Sequence, residues 1–536
     1  MGEARAVDVV IVGAGFSGLY MLHRLRRLGL SARIYEAAAG VGGTWYWNRY
    51  PGARVDIESQ EYCYSFSPEL DAEWRWSERY AAQPELLAYL NHVADRFDLR
   101  PDIQFQTKVV SAVFDERDRR WAITTDRGEE VRARYCVMAT GCLSVPKEGE
   151  LPGAGAFEGQ SWHTGRWPHE GVDFTGKTVA VIGTGSSAIQ SIPQIAAQAK
   201  HVTVFQRTPN FSAPAHNGPL DPAVAADWAA HRAQYRQEAR EVGFGIRAVA
   251  PSETPALEAS AEERQAAYEE RWRYGGFALL GAYGDLIVDP GANATAAEFV
   301  RGKIREIVKD PAVAEKLSPR TFPIGAKRLC VDTGYYATFN RDNVALVDLS
   351  EEPIETITPA GVKTAAREYA VEAIVYAIGF DAMTGALDKI DIRGRGGARL
   401  KDQWSAGART YLGLMVAGFP NLFLVTGPGS PSVLCNMAVA IEQHVEWISD
   451  CIGWMSERQA GSIEASEAAQ DDWVAHVNEV AEGTVYPQAD SWYIGANVPG
   501  KPRVFMPYIG GFPVYREKCA EVAAKGYEGF VVEGVG

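Results

Sequence analysis

Across 536 residues there are only seven cysteines, at positions 63, 136, 142, 330, 435, 451 and 519, with no C-x-x-C and no close pair. That scatter argues against a disulfide framework and against a zinc site, and no metal is expected. Nowhere does the chain hold an apolar run approaching the roughly eighteen residues that a membrane span requires, so no membrane partner is expected. Low-complexity tracts are missing too. Positive charge is scarce, with 53 Lys and Arg against 68 Asp and Glu and a formal net charge of -15. An acidic balance of that size disfavours nucleic acid or an anionic membrane surface as partner. The first strand is expected from about residue 7, which leaves no room for a signal peptide, and a cytoplasmic location is expected.

What the chain does have is ordinary globular material. Apolar residues make up 46% and charged ones 23%, values that argue against disorder, and the length suffices for two or three domains with deep cores. Two stretches read strand, tight glycine turn, helix. They are Val9-Val10-Ile11-Val12 into Gly13-Ala14-Gly15-Phe16-Ser17-Gly18, and Val179-Ala180-Val181-Ile182 into Gly183-Thr184-Gly185-Ser186-Ser187-Ala188. In such a turn the first glycine makes the bend, the second lets backbone approach a pyrophosphate, and the third small residue lets helix and strand pack closely. The helix amino terminus then faces the phosphates. Two copies in this context predict two bound dinucleotides.

A comparison inside the chain tells the two turns apart. Eighteen residues separate Gly18 from Glu36, and eighteen separate Ala188 from Gln206, so Glu36 and Gln206 are equivalent positions, each closing a short apolar run. A carboxylate there accepts hydrogen bonds from a bare ribose and would repel a 2'-phosphate, which suits FAD at the first turn. The second site replaces the acid with neutral Gln206 and follows it with Arg207 and Thr208, a cation and a hydroxyl suited to the 2'-phosphate of NADPH. Flavin disulfide reductases share this plan but need a closely spaced cysteine pair to receive electrons. The scattered cysteines send the electrons elsewhere.

The expected fold is α/β, with two Rossmann-like dinucleotide-binding domains and a helical insertion in the NADPH domain. Residues 1–150 and 385–536 are assigned to a discontinuous FAD domain, 151–219 and 325–384 to the NADPH domain, and 220–324 to the insert. Asp221-Pro222, the capping box Ser260-x-x-Glu263 closed by Gly275-Gly276, and Asp310-Pro311 mark helix starts inside that insert. The strand pattern resumes within 371–379 and again at 421–429, followed by an amphipathic helix from Met437 to Trp454.

Two further runs carry a family likeness. Gly42-Gly43-Thr44-Trp45-Tyr46-Trp47-Asn48-Arg49-Tyr50-Pro51-Gly52-Ala53-Arg54-Val55-Asp56 and Phe157-x-Gly159-x-x-x-His163-Thr164-x-x-Trp167-Pro168 closely resemble the two fingerprints of type I Baeyer-Villiger monooxygenases. Lys327-Arg328-Leu329, Phe339 to Val344, and Ser491 to Lys501 extend the match over the whole chain. Gly427-Pro428-Gly429-Ser430-Pro431-Ser432 is most similar to the phenylacetone and steroid monooxygenase branch. Cys142 replaces a glutamine of the phenylacetone enzyme, and Val433-Leu434-Cys435 varies the substrate-side loop.

The resemblance implies that NADPH reduces FAD, that reduced flavin holds dioxygen as a C4a-peroxide, and that this attacks a ketone to form a tetrahedral adduct and then an ester or lactone. Aromatic, cyclic or steroid-like ketones are the implied substrates, with sulfoxidation as a side activity. Such chemistry needs a fixed cation beside the reacting oxygen. By resemblance that cation is Arg328, with Asp56 as its orienting partner. Also by resemblance, Gly43, Thr44 and Trp45 join Gly13, Gly15, Gly18 and Glu36 at FAD. Lys327 and Trp492 join Gly183, Gly185, Ser186, Ser187, Arg207 and Thr208 at NADPH, with Trp492 on a loop that closes the site. His163 is read as a hinge contact. Cys142, Val433, Leu434 and Met437 are expected at the substrate pocket, in a monomer or weak oligomer. The alternatives are a flavin-containing or N-hydroxylating monooxygenase acting on amines or sulfides, and a non-enzymatic flavin redox sensor.

Overall fold

In the computed structural model, which describes residues 5–147 and 151–534, each glycine turn caps the central strand of its own sheet. The first such strand is Arg5–Val12, in which Val9, Val10 and Ile11 are wholly buried. An unbroken β-branched run suits a strand covered on both faces. It pairs in parallel with Ala32–Tyr35 on one side, Val9 opposite Ala32, and with Glu130–Met138 on the other, Val9 opposite Tyr135. The chain therefore leaves this strand in both directions, and the turn after Val12 lies at the switch point where doubly wound sheets take ligands. Eight strands make up this sheet. Two arrive late in the chain: Asp391–Arg393 joins Val109–Asp115, and Leu422–Leu424 joins Glu130–Met138.

The second sheet is five-stranded and parallel throughout. Its order is Val344–Asp348, His201–Gln206, Thr178–Ile182, Ala373–Tyr376 and Gln160–His163. Thr178–Ile182 again has a strand leaving on either side, so the turn at Gly183 occupies a second switch point. The fold is α/β with two Rossmann-like units.

Between Ser212–Pro214 and Cys330–Asp332 the described chain is helical, with Pro222–Glu241, Ala261–Tyr274, Pro290–Ile307 and Pro311–Leu317. Their starts follow from local chemistry. Asp221, Asp289 and Asp310 each accept an N–H of the first turn ahead of a proline, and Ser260 with Glu263 forms the reciprocal capping box. The insert is fastened through Arg236, whose Nη2 meets the Asp71 carboxylate at 3.2 Å and the Cys63 sulfur at 3.0 Å. All seven cysteines are buried and unpaired. No helix among the described residues is long and apolar enough to cross a membrane.

Candidate functional site

In the first glycine turn Gly13 and Gly18 have no room for a side chain. Gly13 has φ +105°, and a Cβ on Gly18 would stand 1.9 Å from the Gly13 carbonyl oxygen. Gly15 is the N-cap of the helix Phe16–Arg27 without any side-chain cap, so the first-turn N–H groups remain available to an anion. Gly43, at φ +53°, approaches so closely that its Cβ would lie 3.0 Å from the Gly15 Cα. It starts the short helix Thr44–Trp47, in which Trp45 is buried and Thr44 exposed. Glu36 is 5% exposed and accepts N–H bonds from Ala14 at 2.6 Å and Ala38 at 2.7 Å. Burial pushes its carboxyl pKa up, while the N–H groups of Ala14, Ala38 and Ala37 draw it back. The acid is thus tied to the turn itself.

At the second turn a Cβ on Gly183 would meet the Ala377 carbonyl oxygen at 2.4 Å, whereas one on Gly185 would meet nothing within 4 Å. Gly185 is the uncapped N-terminus of the helix Ser186–Ala196 and opens on free space of the kind a pyrophosphate would fill. Ser187 shares a hydrogen bond of 3.1 Å with Thr164 of the second fingerprint, and Ser186 lies 3.3 Å from the Cys330 sulfur. Thr184 donates to the Thr208 carbonyl at 2.7 Å, holding Arg207 and Thr208 against the turn. Gln206 is fully buried and donates to the Lys316 carbonyl at 2.6 Å, so it braces the insert.

Between the turns, Arg328 forms a fork with Asp56. Its Nε and Nη2 donate to the two carboxylate oxygens at 2.7 and 2.9 Å, and Nη1 donates to the Val433 carbonyl at 2.8 Å. The guanidinium also lies over the Phe277 ring at 4.9 Å. Burial would lower the arginine pKa, but the Asp56 carboxylate outweighs it, aided by Tyr493, and the pKa ends above its usual value. About a quarter of each side chain is exposed, 24% for Arg328 and 25% for Asp56. Asp56 is delivered by the first fingerprint, whose Gly52 has φ +82° and touches the second unit so tightly that a Cβ would be 2.3 Å from the Gln190 carbonyl oxygen. Tyr50 donates to the Gln190 side chain at 2.8 Å, and Gln190 donates back to the Arg54 carbonyl at 3.1 Å.

Comparison with known proteins places this geometry. Residues 10–239 match the family model described as pyridine nucleotide-disulphide oxidoreductase. The chain is 43% identical to a Baeyer-Villiger monooxygenase of Pseudooceanicola batsensis over 98% of its own length and 96% of that protein's. The chain belongs to the Baeyer-Villiger monooxygenases. A solved structure of oxidized steroid monooxygenase bound to NADP is 55% identical, with a TM-score of 0.95 over 99% of this chain and 100% of that one. The phenazine N-monooxygenase of Lysobacter antibioticus is 43% identical over 98% of this chain and 97% of the relative.

In this monooxygenase Cys142, Val433 and Leu434 fall in one buried apolar cluster with Met383, Tyr486, Tyr493 and Phe505, and Met437 packs against it. The Cys142 sulfur lies 3.1 Å from the Ser432 hydroxyl. Trp492 stands half-buried beside Tyr493, ring centroids 4.3 Å apart. Its segment is clamped by Lys501, which donates to Asp381 at 2.6 Å and to the Ala382 carbonyl at 2.8 Å, and by Asn497 on the Phe380 carbonyl at 2.8 Å. His163 accepts the Gly165 N–H at 2.9 Å, and burial, helped by Arg166, lowers its pKa to about 4. Sequence reasoning missed Phe277, Tyr493 and the Val433 carbonyl as partners of Arg328. Tyr493 adjoins Trp492 inside a quoted motif; the other two left no signal.

Proposed function

We propose that this chain is an FAD- and NADPH-dependent monooxygenase that inserts one oxygen atom of O2 beside the carbonyl of an apolar ketone, giving an ester or lactone. The observation that carries the reading is the Arg328–Asp56 fork, set between the two glycine turns and against an apolar cluster. Gly13, Gly15, Gly18, Glu36, Gly43, Thr44 and Trp45 would hold FAD. Gly183, Gly185, Ser186, Ser187, Arg207, Thr208, Lys327 and Trp492 would hold NADPH. The two ligands supply, when bound, the hydride and the redox-active ring that reacts with dioxygen.

The chain's own part is electrostatic. A guanidinium has five N–H donors; Asp56 and the Val433 carbonyl engage three and Tyr493 shares another, leaving one for a substrate oxygen. Arg328 remains charged at any working pH, and Asp56 fixes its plane, so negative charge building on the ketone oxygen meets a prepaid cation. Cys142, Val433, Leu434 and Met437 exclude water from the ketone and hold its apolar part. The domain assignment follows the sheets: the eight-stranded one with FAD, the five-stranded one with NADPH.

The test is a ketone panel scored by product mass under isotopically labelled dioxygen. Esters carrying one labelled oxygen are expected, and oxygenation of amines or sulfides alone would overturn the reading. Arg328→Ala is expected to retain flavin reduction by NADPH while ester formation falls by about 100-fold or more, the scale of losing a preorganised oxyanion donor. Unchanged ester yield from that variant would remove Arg328 from the mechanism.

A further inference from the structure

Lys147 stands at the rim of the second glycine turn and is not part of any motif quoted above. Its backbone N–H donates to the Gly379 carbonyl at 3.0 Å, Pro146 bridges Phe380 in antiparallel fashion, and Asp381 N–H donates to the Val145 carbonyl at 2.9 Å. Residues 145–147 are thereby laid along the segment that continues the strand Ala373–Tyr376. Two residues before Gly379, the Ala377 carbonyl closes on Gly183 itself. The turn is thus flanked on one side by Arg207, at the end of His201–Gln206, and on the other by Lys147.

Among the described residues, positive charge predominates around this rim. Arg207, Lys327 and Lys147 have no carboxylate within ion-pair distance among the described residues, although the chain as a whole is acidic. Lys327 is half-buried with its ammonium 4.7 Å over the Phe322 ring, and Lys147 is half-buried as well. Arg207 is near enough to both to disfavour their charged forms: burial lowers each lysine's pKa first, Arg207 lowers it further, and Asp490 offsets only part of this at Lys327. Like charges gathered without counter-ions are unfavourable unless an anion joins them. We infer that Lys147 is a third cation for the 2'-phosphate of NADPH, acting with Arg207 and Lys327 to set the preference for NADPH over NADH. The inference rests on the assignment of this turn to NADPH.

Binding to the flavin-loaded enzyme separates the two claims without turnover. Titration calorimetry with adenosine 2',5'-bisphosphate and with adenosine 5'-monophosphate reads the 2'-phosphate contribution directly. Lys147→Gln should weaken the bisphosphate by about three- to tenfold and leave the monophosphate within about twofold, as for the loss of one charge-assisted contact at a partly exposed site. Lys147→Arg should restore binding, and the salt dependence of bisphosphate affinity should become shallower in Lys147→Gln. Arg207→Ala is the reference. If it abolishes discrimination while Lys147→Gln changes nothing, or weakens both ligands alike, the role of Lys147 is overturned alone. Should Arg207→Ala also keep full discrimination, the NADPH assignment of the turn falls with it. Unchanged flavin content and melting temperature in each variant guard against misfolding as the cause.

Discussion

Asp56 and Arg328 lie 272 residues apart, and nothing in composition or periodicity could have joined them. Their pairing was legible only through family resemblance, because a contact at that separation depends on how two sheets dock. Glu36 and Gln206 make the converse case. Equal spacing from the two turns identified the positions correctly, yet the Gln206 side chain turns to the insert, where its Nε2 donates to the Lys316 carbonyl. The ion pair can be tested by its counter-charge. Asp56→Asn keeps one acceptor but leaves Arg328 uncompensated, and urea unfolding should show a loss of about 2–3 kcal/mol. That is below the 3–5 kcal/mol of a fully buried pair, because a quarter of each side chain is exposed.

At the scale of elements, both glycine turns, the capped helix starts of the insert and the helix after Asn436 were readable, since each depends on neighbours within a few residues. The helix runs Met437–Glu457, one turn longer than its pattern suggested. The strand Leu422–Leu424 was readable as a buried run, but its partner was not, and Asp391–Arg393 was missed altogether; their partners are about 280 residues upstream and are chosen by register across the sheet. Two glycines make opposite predictions. Gly52→Ala faces both a left-handed φ and the Gln190 carbonyl, and should cost about 2–4 kcal/mol in thermal unfolding while loosening the junction that presents Asp56. Gly185→Ala has φ -83° and open space around it, so melting should show only the cost of the poorer N-cap, about 0.5–1 kcal/mol in equivalent stability. Its NADPH affinity, by contrast, should fall sharply in the same preparation.

At the scale of the whole molecule, the insert and the first unit meet over a buried carboxylate. Glu61 is 6% exposed and accepts the Arg247 N–H at 3.2 Å. Burial, with Glu58 adding to it and Arg247 and Arg236 opposing, raises its pKa from 4.5 to about 7. Across that window the folded chain keeps a proton that the unfolded chain has released, so stability falls as pH rises from 4.5 to about 7 and levels off above. Glu61→Gln should flatten this decline and raise stability above pH 7 by about 1–3 kcal/mol, read from denaturant midpoints across pH. The buried cysteines have a consequence of another kind, in durability toward oxidant. Burial raises the pKa of all seven thiols, to about 12 for Cys136, Cys330 and Cys519, and it is the thiolate that attacks hydrogen peroxide. A thiol-reactive dye should therefore count no fast-reacting groups on the folded enzyme and all seven once it is denatured. A catalyst that handles reduced oxygen in every cycle would then offer its own by-products no reactive thiol to consume.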